Sequence, residues 1–137
     1  MPPMIKTHKL QEQRGQTMAE LAIVLPVLLV LLLGIAQFGV TFNNYVTLTD
    51  AVRAGARQAA VSRNLGGGAA ANACRQRVLD SAGGLDTTVL GTNLTCTSDW
   101  TPGSDVTVYA DYPYEIKLLD WSITSGRLNS TTKERVE

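Results

Sequence analysis

The stretch Arg14–Phe42, RGQTMAELAIVLPVLLVLLLGIAQFGVTF, decides the fold of this chain. From Leu21 to Phe42 the only polar side chains are Gln37 and Thr41, and the nearest charge before them is Glu20. A hydrocarbon layer of about 30 Å needs roughly 20 apolar residues of helix to cross it. The buried helix of a soluble protein is seldom apolar for so long, so the sequence predicts a membrane-spanning helix over about residues 21–42.

Composition limits the remaining possibilities. The chain has 137 residues and a formal net charge of +0, which leaves room for one small domain beside the anchor and argues against nucleic acid as a partner. The single histidine, His8, precedes the apolar stretch, so a hydrolase or a metal site has little raw material beyond it. The sequence predicts a structural or interaction protein, with no catalytic residues, no cofactor, no metal and no small-molecule substrate.

Residues 1–15, MPPMIKTHKLQEQRG, form a short basic leader in which Lys6, Lys9 and Arg14 outweigh Glu12. Basic residues beside an anchor tend to stay in the cytoplasm, which predicts that the C-terminal part lies outside it. The apolar run is longer than the core of an ordinary signal peptide, and no A-x-A site follows it. We therefore do not expect cleavage by signal peptidase.

The segment from Gly15 to Leu21, GQTMAEL, indicates a different cut. A glycine stands five residues before Glu20, and the apolar run follows directly. This resembles the type IV prepilin-like processing signal, in which a membrane peptidase cleaves after the glycine and the apolar run stays in the mature protein. In the alternative interpretation Gly15 breaks a cytosolic tail, and Glu20 stabilises the first helical turn through the helix dipole.

A wider resemblance covers residues 14–63. The chain is similar to the TadE-like family, and a weaker likeness returns near Tyr112–Tyr114 and at the terminal Arg135–Glu137. The family commonly has Phe after the glutamate, where this chain has the equally apolar Leu21. The segments that carry the likeness are AELAIVLP at 19–26, GIAQFG at 34–39 and DAVRAGARQAAV at 50–61.

The resemblance implies a function. TadE-like proteins are pseudopilins or minor pilins of the tight-adherence (Tad/Flp) pilus system. The likeness implies that prepilin peptidase cleaves between Gly15 and Gln16, and that the new α-amino group of Gln16 neutralises Glu20 during assembly. It also implies a single-pass protein of the bacterial inner membrane, with its head outside the cytoplasm, that packs against other pilins and the inner-membrane platform and is located in or at a surface pilus. The alternative is a signal-anchored extracytoplasmic interaction domain that never enters a filament.

Residues 16–63 are expected to form one helix, with a bend at Pro26. Beyond the span, apolar residues recur at spacings of three and four, as on one helical face. That face packs either within the monomer or between subunits. Glycines 66–68 are expected to end the helix, forming a hinge over residues 64–68. The residues of the face are Tyr45, Leu48, Val52, Ala56, Ala59 and Ala60.

Residues 69–137 are expected to form a small α+β head of one short helix and about three antiparallel strands. The helix is predicted over 69–82 and the first strand over Thr87–Thr97. A Pro-Gly turn follows at 102–103, and a second strand buries alternate residues from Val106 to Ala110. Pro113 ends that strand or places it at an edge. Residues 118–121 are expected to form a connection packed by Trp121, and 128–136 a last strand.

Two cysteines, Cys74 and Cys96, lie within this head. In an exported domain of this size two cysteines usually pair, which would stabilise the fold by about 3 kcal/mol. The alternative is two buried free thiols. No C-x-x-C is present, so the pair is expected to be structural. The acids Asp105, Asp111, Glu115 and Asp120 lack calcium-loop spacing and are expected to form a solvated face.

Overall fold

The computed structural model describes residues 7–118 and 121–137. It is an α+β protein, as the sequence predicts, and the chain divides into two compact units, Met1–Gln37 and Phe38–Glu137. The elements in chain order are α1 (Thr7–Ala60), a 3₁₀ turn (Arg63–Leu65), α2 (Gly67–Ser81), α3 (Thr87–Thr92), β1 (Thr95–Thr97), β2 (Asp105–Leu118) and β3 (Trp121–Arg135).

In the first unit the described residues belong to α1 alone. Among residues 7–118 and 121–137, α1 is the one helix long and apolar enough to cross a membrane, and its most apolar window has a mean hydropathy of 2.7. None of that window is buried by the rest of the chain. This separates it from the core helix of a soluble protein, whose apolar side chains are covered. Residues 1–6 of the leader lie outside the described residues.

In the second unit the C-terminal part of α1 supplies one side of the core. Its alanine-rich face is buried, including Leu48 and Val52, whereas Tyr45 is 43% exposed and does not belong to the buried face. The helix ends at Ala60, three residues before the predicted end. The predicted face therefore packs within the monomer, against α2 and the sheet. The core residues that α1 contributes are Leu48, Ala51, Val52, Ala56 and Ala59.

A close approach of α2 to α1 depends on Gly55. A Cβ atom built on Gly55 would lie 3.2 Å from the carbonyl oxygen of Cys74 and well inside van der Waals contact with Cγ2 of Val78. Both neighbouring side chains are fully buried. Since any side chain at position 55 would push α2 away, the glycine sets the distance between these two helices.

The prediction that the glycines at 66–68 end the long helix and form a hinge is wrong, because α1 already stops at Ala60. Only Gly66 lies outside a helix, and its φ of +80° is a conformation that favours glycine. Gly67 and Gly68 form the first turn of α2, where the N–H of Ala70 donates to the carbonyl of Gly66 (2.8 Å). Position 67 is also crowded, because an added Cβ would lie 3.0 Å from the ring of Trp100.

The predicted first strand, Thr87–Thr97, is wrong in its first half. Residues Thr87–Thr92 form α3, and only Thr95–Thr97 form β1. The cause is Asp86, whose carboxylate accepts hydrogen bonds from the backbone N–H groups of Thr88 (2.9 Å) and Val89 (3.4 Å). This is the geometry of a helix N-cap, and it outweighs the modest strand preference of threonine and valine.

The sheet is antiparallel, with strand order β1-β2-β3. Val106, Val108 and Ala110 of the central strand are fully buried, as their alternation predicts. Pro113 does not end β2, which runs on to Leu118. Since β1 pairs only with residues 107–109 of β2, Pro113 has a single neighbouring strand and so satisfies the edge alternative.

The β2–β3 hairpin is longer than predicted. β3 begins at Trp121 instead of near Leu128, and Trp121 pairs with Leu118. The prediction that Trp121 packs a connection is wrong, because its side chain is 82% exposed. Leu119 and Asp120, which also fell in that predicted connection, lie outside the described residues.

Candidate functional site

The processing motif lies on one continuous stretch of helix. The side-chain amide of Gln16 donates to Oε1 of Glu20 at 3.1 Å, a contact between residues four apart on an exposed helical face. Gly15 has open space where a Cβ would stand, and Leu21 is 55% exposed. The motif is thus open to another protein along its length.

The helix does not start at this motif. It begins at Thr7 and passes through Gly15, so the alternative in which Gly15 breaks a cytosolic tail is wrong. For the same reason Glu20 is not in the first turn of α1, which contains no acidic residue. In the uncleaved chain Glu20 therefore gains nothing from the helix dipole, which acts only near the terminus.

The large apolar side chains from Leu21 to Phe42 are all exposed. Their exposed fractions range from 46% for Leu25 to 73% for Ile23. Exposed apolar surface of this extent needs a lipid or protein environment. Pro26 lies inside α1, and the bend assigned to it stays a prediction.

The two cysteines are joined. The S–S bond between Cys74 and Cys96 is 2.08 Å long and connects α2 to β1, as the sequence predicts. Beside this bond the guanidinium of Arg75 donates to the backbone carbonyls of Leu94 and of Gly91, the latter at 2.9 Å. The disulfide and Arg75 together tie α2 to the segment that leads into the sheet.

The hairpin carries an ion pair that the sequence does not predict. Asp111 is only 8% exposed and accepts two hydrogen bonds from Arg127, the one from Nη2 measuring 2.8 Å. The Arg127 guanidinium holds the pKa of the Asp111 carboxyl below its ordinary value. The Asp111 carboxylate in turn raises the pKa of Arg127. Asp111 stands opposite Asn129 in the sheet, so Arg127 is its diagonal neighbour. Only the strand register could have revealed this pairing.

Most of the acids expected to form a solvated face are paired with basic side chains. Glu115 contacts the ammonium of Lys117 at 3.0 Å, and Asp105 lies 3.8 Å from Arg135. Together with Asp111, three of the four acids thus have a basic partner, and Asp120 lies outside the described residues. Within residues 7–118 and 121–137 no group of His, Cys, Asp and Glu has the arrangement of a metal site.

A groove of about 360 Å³ opens between α1 and the hairpin within the second unit. The helix contributes a run of aromatic residues, among them Phe38 and Phe42, whose rings stack with centroids 6.4 Å apart. Across the hairpin, the ring of Tyr114 covers Gly126, its partner in the strand register. No residue type in the sequence singles out this groove, which depends on the length of β2 and β3. Its lining is Phe38, Thr41, Phe42, Tyr45, Tyr114, Ile116, Arg127 and Leu128.

A comparison with known protein families supports the predicted resemblance. Residues 15–57 match the family model described as TadE-like protein, which confirms the resemblance noted from the motifs. The match begins at Gly15 and extends into the buried part of α1. It leaves α2, α3 and the sheet outside. Neither a curated protein nor a solved structure gives a match.

Proposed function

We propose that this chain is a minor pilin or pseudopilin that acts in the assembly of Tad/Flp-type pili and catalyses no reaction. The TadE-like match supports the coarser part of this statement, a pilin-like structural role associated with the Tad pilus. The observation that carries the proposal is the order of parts along α1. A glycine, a single carboxylate and an uncovered apolar helix follow one another without interruption.

Processing between Gly15 and Gln16 gives Glu20 a role that it lacks in the uncleaved chain. Removal of the leader would make Gln16 the first residue, and Glu20 would then lie in the first helical turn or just beyond it. There the free N–H groups and the helix dipole favour a negative charge. The new α-amino group would stand about one turn from the carboxylate, on the helical face that Gln16 and Glu20 already share.

Neutralising Glu20 matters because a carboxylate that enters hydrocarbon costs a few kcal/mol. The amino group of Gln16, from the same chain or from a neighbouring subunit, offsets that cost when subunits pack together. The apolar surface beyond Leu21 would contact other pilins and the inner-membrane platform. Minor-pilin assembly thus rests on helix packing in the span of about 21–42.

The proposed orientation places the N-terminus in the cytoplasm and the second unit outside it. Lys6, Lys9 and Arg14 precede the span, which favours retention of this end in the cytoplasm. The Cys74–Cys96 bond supports a location of the second unit outside the cytoplasm, because disulfides persist in oxidising compartments.

The first test is the mass of the mature protein purified from membranes of its host. We expect a chain that begins at Gln16, and we expect Gly15→Leu to leave the leader in place because the peptidase recognises the glycine. A wild-type chain that keeps its leader in piliated cells would refute the processing step. That outcome would favour the signal-anchored interaction domain.

The second test compares two substitutions at the motif. Glu20→Gln keeps the size of the side chain and removes its charge, so we expect pilus assembly to fail while the protein still enters the membrane. Gln16→Ala is the matched control, since it removes the 3.1 Å side-chain contact but keeps the α-amino group. Normal pili with Glu20→Gln, counted by electron microscopy, would contradict the role assigned to the carboxylate.

A further inference from the structure

Two large apolar side chains stand exposed at the tip of the β2–β3 hairpin. Trp121 is 82% exposed and Ile123 is 61% exposed, and both lie at the start of β3. The strand register is irregular between Ile116 and Lys117, close to this tip. An irregularity of this kind bends a strand and re-aims the side chains beyond it. The apolar residues at the tip are therefore turned away from the core of the second unit.

The hairpin runs along the part of α1 where the apolar stretch ends. Ile116 and Tyr114 line the groove together with Phe38 and Phe42, the last aromatic residues of the predicted span. The tip lies beyond Ile116, since Leu118 pairs with Trp121. The tip begins only two residues further along β2 than Ile116, so it lies close to the end of the apolar stretch.

We propose that Trp121 and Ile123 insert into the outer lipid interface and give the second unit its own contact with the membrane. The occupant of this surface is the lipid bilayer itself. Tryptophan and tyrosine concentrate at the membrane–water boundary, where their rings are apolar and their polar atoms stay hydrated. Tyr45 and Tyr114, which line the groove, add two further rings near the end of the apolar stretch.

The charges at the tip fit a contact that does not depend on anionic lipid. Lys117 is the one cation described close to the tip, and it lies 3.0 Å from Glu115. A neutral pair gains little from a negative surface. Insertion should therefore occur in vesicles of phosphatidylcholine alone and should persist in high salt. The inference rests on α1 spanning the bilayer, but it does not rest on processing or on filament assembly.

Fluorescence of the full chain in phosphatidylcholine vesicles tests the proposal, because the protein has two tryptophans. The variant Trp100→Phe leaves Trp121 as the reporter. Its matched control, Trp121→Phe, leaves Trp100, which is half-buried and lies against Gly67. We expect Trp121 emission to shift to shorter wavelength in vesicles. Lipids brominated near the headgroup should quench Trp121 strongly and leave Trp100 almost unquenched.

A second measurement covers the possibility that Trp100→Phe loosens the fold. Ile123→Cys, labelled with an environment-sensitive dye, should report a less polar surrounding in vesicles than Thr131→Cys, an exposed position on the same strand. Emission of Trp121 at the wavelength of water-exposed tryptophan, with no quenching by brominated lipid, would overturn the proposal. So would a shift that grows with the ratio of protein to lipid, which would indicate contact with a second copy of the chain.

Flotation of the vesicles separates this inference from the proposed function. If the protein floats with the vesicles and Trp121 stays in water, the anchor holds and the hairpin contact is wrong. If the protein does not float, the spanning helix itself is wrong. A cleaved or an uncleaved N-terminus changes neither result.

Discussion

Replacing Gly55 by alanine tests how tightly the second unit is packed. The new methyl group would meet Cγ2 of Val78 and lie 3.2 Å from the backbone oxygen of Cys74. Val78 is fully buried, and a close-packed core leaves little room for a side chain to shift. Cys74 is bonded to Cys96, so α2 cannot move away freely at this point.

Two opposing effects set the magnitude. Alanine favours the helix over glycine by about 1 kcal/mol. Overpacking a full core costs about 1–3 kcal/mol, and the disulfide places this case toward the upper end. We therefore expect Gly55→Ala to lower the free energy of unfolding by about 1–2 kcal/mol. For a unit of this size that lowers Tm by roughly 5–10 °C.

A double-mutant cycle identifies the cause. Val78→Ala alone should cost about 2 kcal/mol, because it removes two buried methyl groups. If the clash with Val78 is responsible, the methyl group at position 55 fills the space that Val78→Ala opens. The double variant should then lose less than the sum of the single losses, with a coupling of about 1 kcal/mol or more.

Thermal unfolding in detergent micelles, followed by near-ultraviolet circular dichroism, measures these changes. Gly68→Ala is the control, since position 68 is also helical but an added Cβ meets nothing within 4 Å. It should leave Tm unchanged or raise it. Losses that add within about 0.5 kcal/mol in the cycle would refute the packing argument. A stabilising Gly55→Ala would refute it too.

Three further predictions concern the stability of the same unit. Reducing the Cys74–Cys96 bond should lower the free energy of unfolding by about 3 kcal/mol, which urea titration with and without reductant measures. Arg127 holds the pKa of the Asp111 carboxyl below its ordinary value of 3.8. The stability that this ion pair adds is therefore complete above pH 3.8 and is lost as pH falls through the lower folded pKa. Asp111→Asn should reduce the loss of stability between pH 5 and pH 2, and an unchanged dependence of stability on acid pH would contradict the pairing. Asp86→Ala should lower Tm by removing the α3 cap, whereas Asp86→Asn should keep most of it; equal losses would show that the cap is not the cause.

The features that the sequence predicts well depend on patterns within a short stretch. The apolar run after Glu20 predicts one long helix, and α1 occupies this stretch. Apolar and polar residues alternate from Val106 to Ala110, as expected for a strand with one buried face. Cys74 and Cys96 are the only cysteines, so their pairing leaves no choice of partner.

The features that it misses depend on contacts between distant residues or on a single cap. Asp86 converts a threonine-rich segment into a helix through two backbone hydrogen bonds. Arg127 reaches Asp111 only once the register of β2 and β3 is known. The exposure of Trp121 follows from the length of the hairpin, and Pro113 makes the sequence predict a shorter one. An edge position tolerates proline, and nothing in the local sequence distinguishes an edge from an end.

Under the proposed function, the two parts of α1 have different tasks. The alanine-rich face between Leu48 and Ala60 is already buried against α2 and the sheet of its own chain. Because this face is covered, contacts with other subunits are expected to use the exposed apolar side chains before Leu48. There the leucine and valine side chains are uncovered, and the first charged residue that precedes them is Glu20. Under the proposed function, a substitution in the alanine-rich face should first damage folding, whereas one near Glu20 should damage assembly in a protein that still folds.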